Sequence, residues 1–425
     1  MDGGLWTELL ETLSLAPSLT TLKIFAPWAI MGQPSDALRE PYRLSERLRV
    51  PSLTSISYQM FLVGVPAGRS GIGRREKDVL EIEGENLRRL MSACSATLRD
   101  ILIPGEHLFS ALDPGVNWSN LHRLCLRGLW PLEFCASAEQ RLSSPGQDLA
   151  PSPPESNAQS RLLHLLELMP NLRSLLLQMS VLRRDPESAT FVISPSGPRP
   201  RPRRPDQFLR HLLEFELCSA ESGERILEFL PQGLESLGFR RYPLDDLAYT
   251  LRQPILLCVQ LEEMLNRADF PKLKTLAVWY RIQNIDDLDA EERLLEALPQ
   301  RFPRMENLVV HRLFNHDSPT LRDFWDPVPR FRRLLSRFQR LQMFSFNLDD
   351  PQRAKKRPFV HAREEYKRYM VRLAEFALAI ISDCPSLRHV GMYREIGDVA
   401  EYYWHKWEVG RWSDGRVSLM YDYIA

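Results

Sequence analysis

An apolar pattern of the form L-x-x-L-x-L recurs eleven times along the chain, starting at Leu19, Leu53, Leu98, Leu121, Leu172, Leu212, Leu234, Leu273, Met305, Leu341 and Leu387. Successive copies lie 22 to 51 residues apart, about 37 on average. The pattern alone carries little weight, because 44% hydrophobic residues give about 36 such windows by chance. The punctuation carries more. Pro17, Pro51, Pro170, Pro271, Pro303 and Pro385 each stand two residues before the first apolar position, six of eleven copies, where 32 prolines in 425 residues predict about one. Proline lacks the N–H and pushes its predecessor out of the helical region, so each predicts a helix that stops just before a short strand.

Between the triplets, apolar residues recur at three- and four-residue spacing in ENLRRLMSA, SRLLHLLELM, ERILEFL, EERLLEALPQRF and EEYKRYMVRLAEFALAIISDC, and also in LWTELLETL near the amino terminus. Strand, loop and helix therefore alternate in one order. A unit of this kind cannot bury its own apolar side, so neighbours must stack, with a parallel sheet on one face and helices on the other. The predicted fold is α/β: an irregular leucine-rich-repeat-like solenoid over 1–425, with parallel strands on the concave face, helices outside, long loop insertions and a carboxyl-terminal hairpin cap. The Asn or Cys expected two residues beyond each triplet is absent, and the units exceed the usual period of roughly 20–29 residues, hence the irregularity. Three stretches rich in Pro, Ser, Gly or Arg, 64–76, 137–160 and 183–206, read as mobile insertions. The cap is assigned to 400–425, where Asp414-Gly415 is a two-residue hairpin signal between aromatic-rich arms.

Charge narrows the partners. Lys+Arg and Asp+Glu both number 55, so no global field favours nucleic acid or a membrane surface. The cysteines are scattered and never in C-x-x-C spacing, which predicts a reducing compartment with thiols acting as small core residues. The start MDGGLWTELLETLSLAP has no positive region or long apolar run, and no stretch of 18 apolar residues exists. The expectation is an intracellular chain, cytoplasmic or nuclear, without membrane attachment.

Catalytic signatures are thin. Gly64, Gly68, Gly71 and Gly73 cluster, but no phosphate-binding glycine motif can be written through them. There is no G-x-S-x-G and no H-E-x-x-H. His311, His316 and Asp317 fit no common metal spacing. The acidic run Asp286, Asp287, Asp289, Glu291, Glu292 reads as a helix amino terminus, which attracts carboxylates, rather than as a calcium loop. PRPRPRRP from Pro198 and AKKRP from Ala354 read as solvated loops, with nuclear import or contact with an anionic partner as the functional alternative. The chain is thus expected to be no enzyme and to need no cofactor or metal.

Aligning the triplets gives two columns of side chains that alternate with the core positions. The column inside the triplet runs Lys23, Ser57, Leu102, Cys125, Leu176, Glu216, Gly238, Ala277, Val309, Ser345, Gly391. The column just after it collects larger hydrogen-bonding and aromatic residues, among them Gln59, Arg127, Gln178, Arg240, Trp279, His311, Asn347 and Tyr393. Exposed Trp, Tyr and Arg suit protein recognition, so Arg127, Arg240, Trp279, His311, Asn347 and Tyr393 are the candidate protein-binding residues. The competing reading is that Trp279 and Tyr393 pack beneath the following loop.

The irregular P-x-L-x-x-L-x-L units, the long inserts and the tail WHKWEVGRWSDGRV together resemble the leucine-rich region of F-box proteins from filamentous fungi. That resemblance implies repeats that recruit a protein target, and an amino-terminal F-box that docks a Skp-type adaptor of a cullin ubiquitin ligase. No helical trio of F-box type with its Leu-Pro start stands ahead of Leu19. The function expected is a non-enzymatic protein-interaction solenoid, as the substrate-recognition part of such a ligase receptor. The alternatives are a stand-alone scaffold unrelated to ubiquitin and an enzyme with a nonlocal active site; nucleic-acid binding by the Arg-rich insert ranks below them.

Overall fold

The computed structural model describes residues 13, 15–27, 52–61, 74–131, 154–182, 191–193, 202, 207–240, 251–252, 254–347, 349, 363–396 and 401–421. It is a mixed α/β chain with a mostly parallel, unclosed sheet, in two compact units. Most of 64–76, 137–160 and 183–206 lies outside the described residues, as do LWTELLETL (but for Leu13) and AKKRP.

The first unit holds β1 (Thr21–Pro27), β2 (Ser55–Phe61), α1 (Arg74–Cys94), β3 (Asp100–Pro104), α2 (Leu108–Ala111), β4 (Arg123–Leu129), α3 (Pro154–Glu167), β5 (Ser174–Leu182) and β6 (Glu214–Cys218). Strands β1 to β6 pair in sequence order and in parallel. The second unit holds β7 (Ser236–Arg240). The chain then lends β8 (Leu251–Arg252) back to the first unit, antiparallel to Val181 and Leu182. It continues through β9 (Leu256–Leu257), α4 (Cys258–Asn266), β10 (Thr275–Ile282), α5 (Ile285–Arg301), β11 (Asn307–Phe314), α6 (Val328–Ser336), β12 (Met343–Asn347), α7 (Arg363–Ile381), β13 (His389–Ile396), β14 (Glu401–Arg411) and β15 (Val417–Tyr421). Strands β7, β10, β11, β12 and β13 are parallel neighbours, and β14 and β15 add an antiparallel ribbon to β13.

One local device recurs at the entry to the strands. The first apolar residue of the triplet donates its N–H to the carbonyl three residues earlier, as in Leu172 to Met169 at 3.1 Å, Leu273 to Phe270 at 3.0 Å, Met305 to Phe302 at 3.1 Å and Leu387 to Cys384 at 3.3 Å. The proline therefore fills the second position of a four-residue turn, where its fixed φ suits the geometry. Both ends of each turn are buried: Met169, Phe270, Phe302 and Cys384 are 0–1% exposed, as are Leu172, Leu273 and Met305, with Leu387 at 2%. The residue after the first apolar position then accepts two N–H groups from the next unit. Examples are Arg99 O from His122 at 2.8 Å and Arg123 at 2.9 Å, and Glu306 O from Gln342 at 2.8 Å and Met343 at 3.0 Å.

This ladder fixes the register. Within each unit the inner column pairs as the sequence alignment implies: Lys23↔Ser57, Ser57↔Leu102, Leu102↔Cys125, Cys125↔Leu176 and Leu176↔Glu216 in the first, Gly238↔Ala277, Ala277↔Val309, Val309↔Ser345 and Ser345↔Gly391 in the second.

Two local expectations need correction. ERILEFL, expected as a helix, forms only a four-residue 3-10 turn, Ile226–Phe229. Gly223 at φ 93° and Pro231 bound it, leaving too few residues for a stable α-helix. The final hairpin is no two-residue turn. Trp412 N donates to Arg416 O and Gly415 N to Trp412 O, both at 3.0 Å, so three residues lie between Trp412 and Arg416, with Gly415 at φ 83°. A left-handed glycine ending a three-residue loop carries the twist of the flanking strands. The described cysteines, Cys94, Cys125, Cys218, Cys258 and Cys384, are buried thiols, none of them joined in a disulfide. Among the described residues no helix is long and apolar enough to cross a membrane.

The first unit contains an opposed pair of titratable groups. His107 is 1% exposed, meets Tyr58 edge-on at 6.3 Å, and among the described residues has no hydrogen-bond partner for either ring nitrogen. Burial pulls its pKa down to about 4. The neighbouring Glu106 carboxylate accepts the Leu129 N–H at 3.0 Å, and burial pushes its pKa up to about 7. A Cβ on Gly128, whose φ is 116°, would stand 2.7 Å from that carboxylate, so glycine is required there. A depressed histidine removes stability as pH falls from about 6.5 towards 4; a raised carboxyl removes it as pH rises from about 4.5 through 7. The two slopes oppose each other in between. Urea unfolding should therefore show His107→Phe gaining about 2 kcal/mol on the wild type between pH 8 and pH 5. Glu106→Gln should gain instead towards pH 8, and parallel pH profiles for all three proteins would contradict this assignment.

Candidate functional site

The second unit brings three predicted contacts side by side. Trp279 on β10, His311 on β11 and Asn347 on β12 are successive register partners. The Trp279 and His311 rings lie 5.7 Å apart and tilt by 54°. Trp279 is 8% exposed, Asn347 9%, and His311 half-buried. Asn347 is committed within the fold. Its Nδ2 donates to the Arg312 carbonyl at 3.1 Å, and its Oδ1 accepts the N–H of Asp349 at 2.9 Å. Asp349 sits at φ 47°, and its carboxylate accepts the Phe314 N–H at 2.6 Å while its carbonyl accepts Trp325 Nε1 at 2.9 Å. The polar groups at the ends of β11 and β12 thus hold one another.

The opposite face of the same strands carries a buried charge. Side chains alternate along a strand, so Tyr280 and Arg312, one residue beyond Trp279 and His311, turn to the helix side. There Arg312, 0% exposed, donates Nε to Glu291 Oε1 at 2.7 Å and Nη2 to Oε2 at 3.3 Å. Its Nη1 reaches the Trp325 carbonyl at 3.2 Å, and its guanidinium lies 4.7 Å from the Phe314 ring centre. The Tyr280 hydroxyl donates to Glu291 at 2.7 Å; burial, with the nearby Glu291 carboxylate, raises its pKa well above the usual phenol value. Helix α5 positions Glu291. Asn284 caps it by accepting the Asp287 N–H at 2.9 Å, and Asp286 and Asp287 occupy its first turn, as the acidic run predicts. Asp287 is itself fully buried, and its carboxylate takes the N–H of Gln283 at 2.9 Å.

In the first unit Arg127, half-buried on β4, donates Nε to Gln178 Oε1 at 2.9 Å, and Gln178 Nε2 donates to Glu216 Oε1 at 2.8 Å. Arg127 and Gln178 are register partners on β4 and β5. Arg240 ends β7 and is exposed. Tyr393 lies opposite Trp404 in the β13–β14 pairing, its side chain outside the described set. The structure therefore joins Arg127 to Gln178 and Glu216 in one unit, and Trp279 to His311 and Asn347 in the other. The column is less open than the sequence implies, since large side chains on neighbouring strands cover one another. His311 packs on Trp279, whereas His316, beyond the strand end, lies 3.4 Å from Asp349 Oδ2. Among the described residues no group of three His, Cys, Asp or Glu is placed to hold a metal.

The Arg312–Glu291 pair and the Arg127–Gln178–Glu216 chain are the features that sequence reasoning missed. A signal for the first exists: Asp287 and Glu291 fall on the same stripe as Leu294 and Leu298, putting carboxylates at apolar phase. No protein-family model matches the chain, and no curated protein matches it either.

Glu291→Gln should destabilise the protein by about 3–5 kcal/mol in urea unfolding, because it strands a buried guanidinium. Combining Arg312→Met with Glu291→Leu should recover most of that loss. A double variant as unstable as the single one would show that the charges themselves, rather than their mutual compensation, hold this region.

Proposed function

We propose that the chain is a non-enzymatic protein-binding scaffold, an irregular leucine-rich-repeat-like solenoid whose strand-face residues recruit a protein target. The observation that carries this reading is the register. Equivalent positions of successive triplets pair directly, so residues far apart in sequence become neighbours in a row: Pro104, Arg127 and Gln178 in one unit, Trp279, His311 and Asn347 in the other. A row of this kind offers aromatic area and directional donors together, the combination that dominates protein interfaces. The likeness of the triplets and tail to the leucine-rich region of fungal F-box proteins supports a more specific setting, target recognition within a cullin-type ubiquitin ligase. A stand-alone scaffold unrelated to ubiquitin is the second reading, since the same row would serve recognition with or without a ligase.

The test is affinity purification of the tagged chain from cells that express it naturally, beside a variant carrying Arg127→Ala, Arg240→Ala and His311→Ala. These three side chains are at least partly exposed, so the variant should keep its unfolding free energy within about 2 kcal/mol of the wild type, the loss of the Arg127–Gln178 hydrogen bond included. A stoichiometric partner that falls at least about tenfold in the variant is the expected result. Skp-type adaptor and cullin among the proteins recovered would support the ligase setting, and another stable partner without them the stand-alone scaffold. Partner recovery unchanged by the three substitutions would remove the row from the interface.

A further inference from the structure

We infer that a cleft at the strand-entry edge of the second unit binds an acidic peptide segment of a partner protein. The cleft encloses about 410 Å3. Its floor is the carbonyl ladder. Glu306, Gln342 and Arg388 stand at equivalent positions immediately before β11, β12 and β13. Gln342 and Met343 donate to the Glu306 carbonyl, Arg388 and His389 to that of Gln342, and Val409 of β14 to that of Arg388 at 2.8 Å. Gln339, Arg340, Ser386 and Arg411 complete the polar lining, and Pro385, Leu387 and Val409 give it an aliphatic wall.

Charge identifies the occupant. Elsewhere in this unit several arginines are matched across helices: Arg293 with Glu262 at 2.8 Å, Arg330 and Arg333 with Glu292 at 2.9 and 2.6 Å, Arg332 with Asp383 at 2.5 Å. The cleft arginines are not. Among the described residues neither Arg340 nor Arg388 has an ion pair or side-chain hydrogen bond, and both are exposed. Arg411 gives one Nη2 bond to the Cys384 carbonyl, which fixes the side chain and leaves most of a guanidinium's five donors free. Against three guanidiniums the cleft sets one carboxylate, Glu306, a local excess of positive charge on a chain whose formal net charge is +0.

Guanidinium forks match planar carboxylates two bonds at a time. The volume exceeds what one carboxylate fills and falls in the range of sites that hold several groups. The aliphatic wall suits the methylene stems of Glu or the backbone of an extended segment better than a free inorganic anion. The row that forms the floor is a third column, the residue after the first apolar position of each triplet, and it is legible in the sequence once the triplets are aligned.

This inference rests on the protein-binding reading only in assigning the acidic segment to a partner, and the two fail separately. Fluorescein-labelled octaglutamate is titrated with the full chain by anisotropy at low ionic strength, alongside Arg340→Gln/Arg388→Gln and the control Arg332→Gln, whose guanidinium pairs with Asp383 outside the cleft. Saturable binding that weakens about tenfold in the double variant and less than about twofold in the control is the expected result. No binding, or equal loss in both variants, would overturn it. So would inorganic phosphate displacing the peptide at equal molarity, which marks a free-anion site, or a ten-nucleotide single-stranded DNA binding more tightly than octaglutamate. Partner recovery in the purification test bears on the scaffold reading alone, whichever way the anisotropy falls.

Discussion

One hydrogen-bonding constraint underlies both units: a single carbonyl, on the residue after the first apolar position, accepts two consecutive N–H groups from the next segment. It recurs from Thr20 to Arg173 in the first unit and from Glu235 to Gln342 in the second, with bond lengths of 2.8–3.1 Å. Because both donors lie at the start of a strand, the bond sets where pairing begins, and in a parallel sheet a one-residue slip would turn every core leucine outward. The turn before it ensures that the donor arrives in place. Side chains reinforce the stack in the first unit, where Asn120 donates to Ala96 O and Asn171 to Ser119 O, both at 2.7 Å. No triplet could bury its leucines alone; the ladder makes each segment the wall of the next.

On this frame the two faces of the second unit's sheet do different work. Towards the helices, Arg312 and Glu291 form a buried ion pair with Tyr280 and the Trp325 carbonyl completing its hydrogen bonds. Such a pair adds little net stability over apolar residues, but it penalises any arrangement that separates its members. It thereby ties the register of β10 and β11 to the rotation of α5. On the other face the same register lines up Trp279, His311 and Asn347. An error in helix docking would reach the Trp279–His311–Asn347 row through Arg312, one residue away from His311.

Much of this was legible in the sequence, because its signals are local. The proline two residues before the triplet marks a turn that closes over four residues, and aligned triplets give the strand register because the ladder repeats at one position. The nature of the device was only half visible: proline reads as a helix breaker, and its role inside a hydrogen-bonded turn emerges from the paired carbonyl. Burial was harder to read. Asn347 looks like a free polar contact, yet the Asp349 N–H and the Arg312 carbonyl, the latter from a neighbouring strand, consume its amide. Glu291 looks like part of a solvated acidic run, yet α5 turns it onto an arginine 21 residues away. ERILEFL has helical spacing, but its flanking glycine and proline leave no room for a helix. Each miss involves a partner or boundary that no short window contains.

The most direct test of this account is amide hydrogen exchange at the strand entries of the second unit, resolved by residue. If shared carbonyls set the register, the paired amides of Glu306 and Asn307, Gln342 and Met343, and Arg388 and His389 should exchange at least about 100-fold more slowly than unstructured amides, in step with the core of their strands. Exchange at unprotected rates at these six positions, with protection confined to the strand centres, would contradict the ladder as the determinant of register.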